Sequence, residues 1–372
     1  MRSMDVSPQL PDIDSDPARA ESLPAWAYRD PVLFERECRL IMRRGWHYAG
    51  AVAELADTGA YLTVQLLDQS VLVIRGRDGA IRGFHNVCRH RGHELLRGRG
   101  RAAVVTCPYH AWSYHADGTL RTARGAEKQP AFEPERYGLK PVRVEVFARH
   151  FVFFSLDPDA PPLAEQAPGL ASELENEIAD YAGLAPQLGL PSAEIGCNWK
   201  VAVDNYLECY HCRVAHPAFA DMVAMPSYRI HQHDRWVSHK AALRKGDNRA
   251  YAVAPDAAQQ QALFWWLWPT TTFNVLPGMA NVSVFSFFPT GVGTTLQWGQ
   301  NYMLPGAAAD GAQTAYRSEI LGTEDVLLCE SVQRGVASEG YDRGRYMVDG
   351  SDGEGSEAAV HAFHRMVAAA LA

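Results

Sequence analysis

The chain has 372 residues, a net charge of −8, 47% hydrophobic and 21% charged residues. That length predicts two or three domains around a sizeable core, and the composition is ordinary for a globular protein. The negative balance disfavours phosphate-backbone binding, and no apolar run approaches the roughly 20 residues that cross a bilayer, so neither a nucleic-acid nor a membrane partner is expected.

Seven cysteines (Cys38, Cys88, Cys107, Cys197, Cys209, Cys212 and Cys329) form no disulfide framework. An odd count without framework spacing suits a reducing compartment. Without a secretory signal at the start, the expected location is cytoplasmic. Residues 1 to about 24 read as a loose leader. Asp30-Pro31 then opens a helix, with Asp as N-cap and Pro in the first turn, and Phe34, Cys38 and Ile41 share one of its faces. Short β-like runs follow at 61–66, 70–75, 80–86, 102–106, 142–147 and 151–156, with turns at Arg77-Asp78-Gly79 and Ala116-Asp117-Gly118. Pro158, Pro161, Pro162 and Pro168 mark a linker.

Beyond it, Leu170, Leu174, Ile178 and Tyr181 have amphipathic helical spacing. A second helix is predicted over 198–212, strands over 236–243, 271–288 and 294–303, and helices over about 315–335 and 356–371. The expected fold is α+β: a helical segment over 1–45 packing on the C-terminal domain, a β-rich domain over 46–157, and a domain over 170–372 built on a central antiparallel sheet flanked by helices.

Two constellations carry chemistry. Cys88-Arg89-His90, sixteen residues, then Cys107-Pro108-Tyr109-His110 places one thiol and one imidazole on each of two loops that follow strands. Such a set suits a Rieske [2Fe–2S] cluster, one iron held by two Cys and the other by two His, whose imidazoles raise its potential. A Cys2His2 zinc site is the competing reading, but zinc sites of that composition usually take both Cys from one element and both His from another. The second constellation is Glu208, His211 and His216 with Asp204 upstream. Two His and a carboxylate can form the facial triad that holds Fe(II) with open positions; an i, i+5 pair requires the helix to break between the histidines, as Pro217 suggests. A pair of surface histidines is the plain alternative.

Together these residues make the chain resemble the α subunits of Rieske non-haem iron oxygenases over nearly its whole length. The resemblance implies roles residue by residue. Cys88 and Cys107 would hold one cluster iron and His90 and His110 the other. His211, His216 and Asp325, within Thr323-Glu324-Asp325-Val326-Leu327-Leu328-Cys329-Glu330, would hold the mononuclear Fe(II), with Glu324 as the other choice of third ligand and Glu330 as a supporting partner. Glu208, where most of the family has Asp, would bridge electrons between subunits of a homotrimer, and Asp204 would stand behind it near the iron. Electrons would come from a separate NAD(P)H reductase carrying flavin and a [2Fe–2S] centre; no G-x-G-x-x-G follows a strand here. Dioxygen would be the cosubstrate, and one oxygen atom would enter a C–H bond.

The segments Glu208-Cys209-Tyr210-His211-Cys212 and Trp265-Trp266-Leu267-Trp268-Pro269 most resemble the branch that oxidises small quaternary ammonium compounds: choline, glycine betaine, carnitine and stachydrine. N-demethylation is the expected outcome for a betaine. Trp265, Trp266, Trp268, Phe273 and Phe285 are candidates for a cation–π cage, although aromatics more often fill cores. A carboxylate anchor would be sought among Arg229, Arg235 and Arg244. The alternatives are hydroxylation of an aromatic compound and, outside enzymes, a Rieske electron carrier, which would leave the second half of the chain without a role.

Overall fold

The computed structural model describes residues 9–187, 192–307 and 311–372. The chain divides into a unit of residues 43–165 and a unit formed by residues 1–42 with 166–372. Among the described residues, no helix is long and apolar enough to cross a membrane.

The 43–165 unit is antiparallel β structure. Its seven-stranded sheet runs in the order His47–Ala51, Phe151–Ser155, Pro141–Phe147, Ile81–His85, Gln69–Arg75, Ala60–Leu66, Arg99–Arg101. The strand expected over 102–106 shrinks to Val105–Thr106, the first strand of a separate three-stranded sheet with Ser113–Tyr114 and Leu120–Thr122. Alternating burial along Ala60–Leu66 puts Leu62, Val64 and Leu66 inside, the period-2 pattern of a half-buried strand.

The larger unit is built on an antiparallel sheet of eight strands. Its path runs Ala185–Pro186, Thr294–Met303, Asn281–Gly291, Thr271–Val275, Gln261–Leu267, Trp236–Ala242, Arg229–Gln232, and Ala193–Ile195 also pairs with Thr294–Met303. The single run expected over 271–288 is two strands, because Pro277 and Gly278 turn the chain, and the Asn281 amide donates to the Leu276 and Met279 carbonyls to close that turn. Gln261–Leu267 was not expected as a strand; Trp265, Trp266 and Trp268 sit on or just after it.

Residues near the N-terminus belong to this unit and are not loose from residue 20 on. Ala20 and Leu23 are buried, and Ser22 and Ala25 donate to Gly344 and Asp342 carbonyls; of the expected leader, residues 1–8 lie outside the described residues. The helix Pro31–Glu37 starts on the expected cap, Asp30 accepting from Leu33 N at 2.7 Å. Its last residue, Glu37, meets Lys200 of the helix Trp199–Tyr206 at 2.7 Å and Trp199 Nε1 at 2.9 Å, all fully buried. Removing either charge would leave the other buried and unpaired, a cost of about 3–5 kcal/mol.

Candidate functional site

The two cysteine–histidine loops have the same backbone plan. In each, the cysteine N–H donates to the carbonyl five residues on, Cys88 to His93 and Cys107 to Trp112, both at 2.8 Å. In each, the residue four on has left-handed φ, Gly92 at 73° and Ala111 at 61°, and its N–H returns to the cysteine carbonyl at 3.0 Å. A left-handed alanine costs about 1 kcal/mol or more, so this turn is held by the fold around it. Both thiols are buried and free, while His90 is exposed and lies 4.8 Å from His110, ring centre to ring centre. His90 also stacks on Trp112. The Tyr114 hydroxyl lies 3.3 Å from Cys88 Sγ and accepts from Arg89 N–H. Thiols inside and imidazoles outside on matched loops fit a cluster with one thiolate-held and one imidazole-held iron.

The second centre is assembled from a broken helix. The helix expected over 198–212 ends at Tyr206, and a turn follows, in which both Glu208 carboxylate oxygens engage His211: one accepts from its backbone N–H at 3.2 Å, the other lies 2.5 Å from Nδ1. Cys209 and Cys212, three residues apart, are joined by a disulfide across this turn, a pairing the reading of the cysteines did not foresee. Cys212–Ala215 makes one more helical turn. His216 precedes Pro217, which disfavours helical backbone at the residue before it, and it leaves the helix at φ −118° and ψ 62°.

That exit turns the imidazole back. His211 Nε2 and His216 Nε2 lie 3.0 Å apart, and Asp325 Oδ1 lies 2.9 Å from the second and 3.7 Å from the first. Among the described residues this is the one cluster of three such groups that could hold a metal. Three donors 2.9–3.7 Å from one another fit neighbouring positions around one ion at metal–ligand bond lengths of about 2.1 Å. Glu324, the other candidate ligand, instead takes His216 Nδ1 at 2.7 Å, so each imidazole has a carboxylate behind it, the arrangement that fixes its tautomer with Nε2 toward the metal. Burial alone would lower the His216 pKa; the Asp325 and Glu324 carboxylates outweigh it and raise it, which marks a site built for a cation. Asp325 and Glu324 stand in the first turn of the helix Gly322–Gly335, where the helix dipole favours negative charge. Glu330 is elsewhere, accepting from Gly196 N–H at 3.2 Å.

Asp204 is also elsewhere. It accepts from the Tyr28 hydroxyl at 2.7 Å and lies 2.8 Å from His364 Nε2. Four residues separate it from Glu208, but the helix stops between them, so the two do not share a face.

A cavity of about 340 Å³ opens on the triad, lined by Glu208, His211, His216 and Asp325 and by aromatics that include Tyr206, Phe219, Tyr228, Phe264, Phe285 and Phe287. Of the five aromatics expected there, Phe285 alone is on this wall. Strand alternation puts Trp265 and Phe273 on the far face, where Trp265 Nε1 donates to Glu173. Trp266 shares the near face but packs with Trp268 against Phe363 of the helix Ala358–Leu371. None of the three expected arginines reaches the cavity. Arg229 pairs with Asp352, Arg244 with Asp221, and Arg235 is exposed. The arginine on the wall is Arg317.

Residues 45–133 match the Rieske [2Fe–2S] domain and residues 187–372 the catalytic domain of the ring hydroxylating alpha subunit. A carnitine monooxygenase oxygenase subunit of Acinetobacter baumannii is 36% identical, covering 98% of this chain and 99% of its own. The chain belongs to the Rieske oxygenase α subunits. A glycine betaine monooxygenase oxygenase subunit of Pseudomonas aeruginosa is 39% identical over 53% of the chain and 45% of its own. A quaternary ammonium Rieske monooxygenase solved with L-carnitine superposes with a TM-score of 0.88 at 35% identity, over 98% of this chain and all of that one. The oxygenase is thus a Rieske non-haem iron monooxygenase whose cofactors are a [2Fe–2S] cluster and a mononuclear iron, with O2 as cosubstrate and reductase-supplied electrons. The electron-carrier alternative falls, since the second half is a catalytic domain with a triad and a cavity of its own.

Proposed function

We propose that this oxygenase hydroxylates a small quaternary ammonium compound at a carbon bonded to the charged nitrogen, removing an N-methyl group from a betaine. The observation that carries this reading is the cavity wall: the aromatic side chains Tyr206, Phe219, Tyr228, Phe264, Phe285 and Phe287 around one space beside the triad. A methylated ammonium has no N–H to donate, so ring faces and nearby negative charge are what can hold it. The likeness to carnitine and glycine betaine monooxygenases supports the same class.

The bound iron supplies the oxidising power for dioxygen activation. Overall, an N–CH3 group, O2, two electrons and two protons give N–CH2OH and water. The hydroxymethyl ammonium then loses formaldehyde and a proton, leaving the tertiary amine. The protein's residues present the reacting carbon and keep His211 and His216 with Nε2 free for the metal through Glu208 and Glu324. The oxygenase works in the cytoplasm with a flavin and [2Fe–2S] reductase that oxidises NAD(P)H.

It assembles as a homotrimer in which Glu208 of one subunit hydrogen-bonds a cluster histidine of the next. Supporting this, each centre has exposed apolar neighbours suited to a subunit contact: Tyr109 beside His110, and Tyr210 and Val214 beside His211. The test is a panel of choline, glycine betaine, carnitine, stachydrine and simple aromatic acids, run with a surrogate reductase and NADH while formaldehyde, amine and O2 uptake are followed. Amine and carbonyl products from a quaternary ammonium compound are expected; hydroxylated aromatic product alone would overturn the substrate class.

A further inference from the structure

One guanidinium on the cavity wall has no counter-ion. Arg317 lies in a widened π-type turn, Tyr316–Leu321, directly before the helix that carries Asp325; such turns recur at functional sites. Its terminal nitrogens are held by neutral amides, Nη2 donating to Asn301 Oδ1 at 2.9 Å and Nη1 reaching Asn281 Oδ1 at 3.5 Å. Nε has no protein partner. Among the described residues no carboxylate lies within ion-pair distance of Arg317, whereas Arg229 and Arg244 each have one. Burial pushes its pKa down to about 10, opposed by Tyr251, which leaves the group charged at neutral pH. A largely desolvated cation without a paired anion is costly, and the two amides that hold it carry no negative charge.

The sheet lays polar groups beside it. His239, Phe264, Asn274, Ser283 and Asn301 are successive cross-strand neighbours, one row across the cavity floor. Asn301 holds Arg317. Ser283, its pairing partner, lines the cavity with a buried hydroxyl that no protein group engages, and His239 Nε2 is in the same condition. Burial pushes the His239 pKa down to about 3, so it faces the cavity neutral, and Arg317 supplies the positive charge at that wall.

We propose that Arg317, assisted by the Ser283 hydroxyl, binds the carboxylate of the substrate, so that the cavity selects betaines over quaternary ammonium alcohols. This rests on the quaternary ammonium reading above. The Nε/Nη edge of a guanidinium matches a carboxylate in two parallel hydrogen bonds. An alcohol such as choline leaves the buried charge as unpaired as before, and sites that lose a paired group reject the analogue strongly. Aromatic side chains and Arg317 on the wall of one cavity complement the two charges of a zwitterion.

The experiment compares the wild-type oxygenase with Arg317→Met and Arg317→Lys on the preferred betaine, its carboxyl methyl ester and choline. Iron content and the visible spectrum of the cluster serve as integrity checks. Arg317→Met should raise KM for the betaine about 100-fold with a much smaller change in kcat, so that the preference for the betaine over choline in kcat/KM falls by at least a comparable factor. Lysine should restore part of the loss, keeping charge without the fork. In the wild type the betaine should raise the thermal midpoint, and the ester should behave like choline. A betaine KM that survives Arg317→Met, or an ester used as well as the acid, overturns the anchor; the ester comparison decides alone if the variant fails to fold. Betaine turnover with either of those results sinks the anchor and spares the substrate class, whereas no wild-type turnover of any quaternary ammonium compound sinks both.

Discussion

The two metal centres are built in opposite ways. The two cysteine–histidine loops offer four candidate ligands from 23 consecutive residues, and each loop is closed by its own pair of backbone hydrogen bonds. The triad draws two candidate ligands from a broken helix and the third from a helix 109 residues after His216, and carboxylates stand behind both imidazoles. A local site survives as long as its hairpins do; a long-range site survives only while distant elements keep their packing. The two should therefore fail independently.

The largest effect expected is from His216→Ala. It should lose the mononuclear iron and with it turnover, by about 1,000-fold or more as for loss of a group that acts as part of a unit, while the visible spectrum of the cluster is unchanged. If the cluster spectrum collapsed as well, the centres would not be independent. Next, Glu208→Gln should keep both metals bound but slow turnover by about 100-fold, because the neutral amide is a poorer partner for His211 Nδ1 and, in the proposed trimer, for a neighbour's histidine. Near-normal turnover would place the electron path elsewhere. Third, Glu324→Gln should weaken iron binding about 10- to 100-fold, the usual cost of losing a partner behind a ligating histidine, read by chelator competition; unchanged affinity would mean that His216 needs no such support. The smallest effect is at the cluster. Tyr114→Phe removes a hydroxyl next to Cys88 Sγ, so the midpoint potential should fall with full iron content retained. A rise in potential would contradict donation to the sulfur.

Legibility followed the same divide. The candidate cluster ligands stood out directly, because Cys-x-His and Cys-x-x-His are short-range spacings on loops after strands. His211 and His216 stood out for the same reason, but the break expected between them lies elsewhere: Cys212–Ala215 is a helical turn, and the chain leaves helix after Tyr206 and again at His216, before Pro217. The choice between Asp325 and Glu324 was not readable: adjacent residues on a helix point about 100° apart, and only the direction from which His216 arrives tells which carboxylate meets Nε2 and which Nδ1. The aromatic wall was misjudged for a comparable reason. Trp265, Trp266 and Trp268 form a conspicuous run, but alternation sends Trp265 to the far face and the C-terminal helix covers Trp266 with Phe363, while Phe219, Phe264 and Phe287 stand apart in the sequence.

The amino-acid sequence by itself determined the chemistry: two thiols and two imidazoles on paired loops, two further histidines beside a carboxylate, and a strand-rich half followed by a mixed half. Those features are local, set by spacing and turn chemistry within a few residues. The tertiary structure alone decided which groups converge on the cavity. Arg317 has no motif around it, and it became notable only once the sheet brought Asn281 and Asn301 beneath it and left its charge without an anion, because burial and the absence of a counter-charge are properties of packed neighbours.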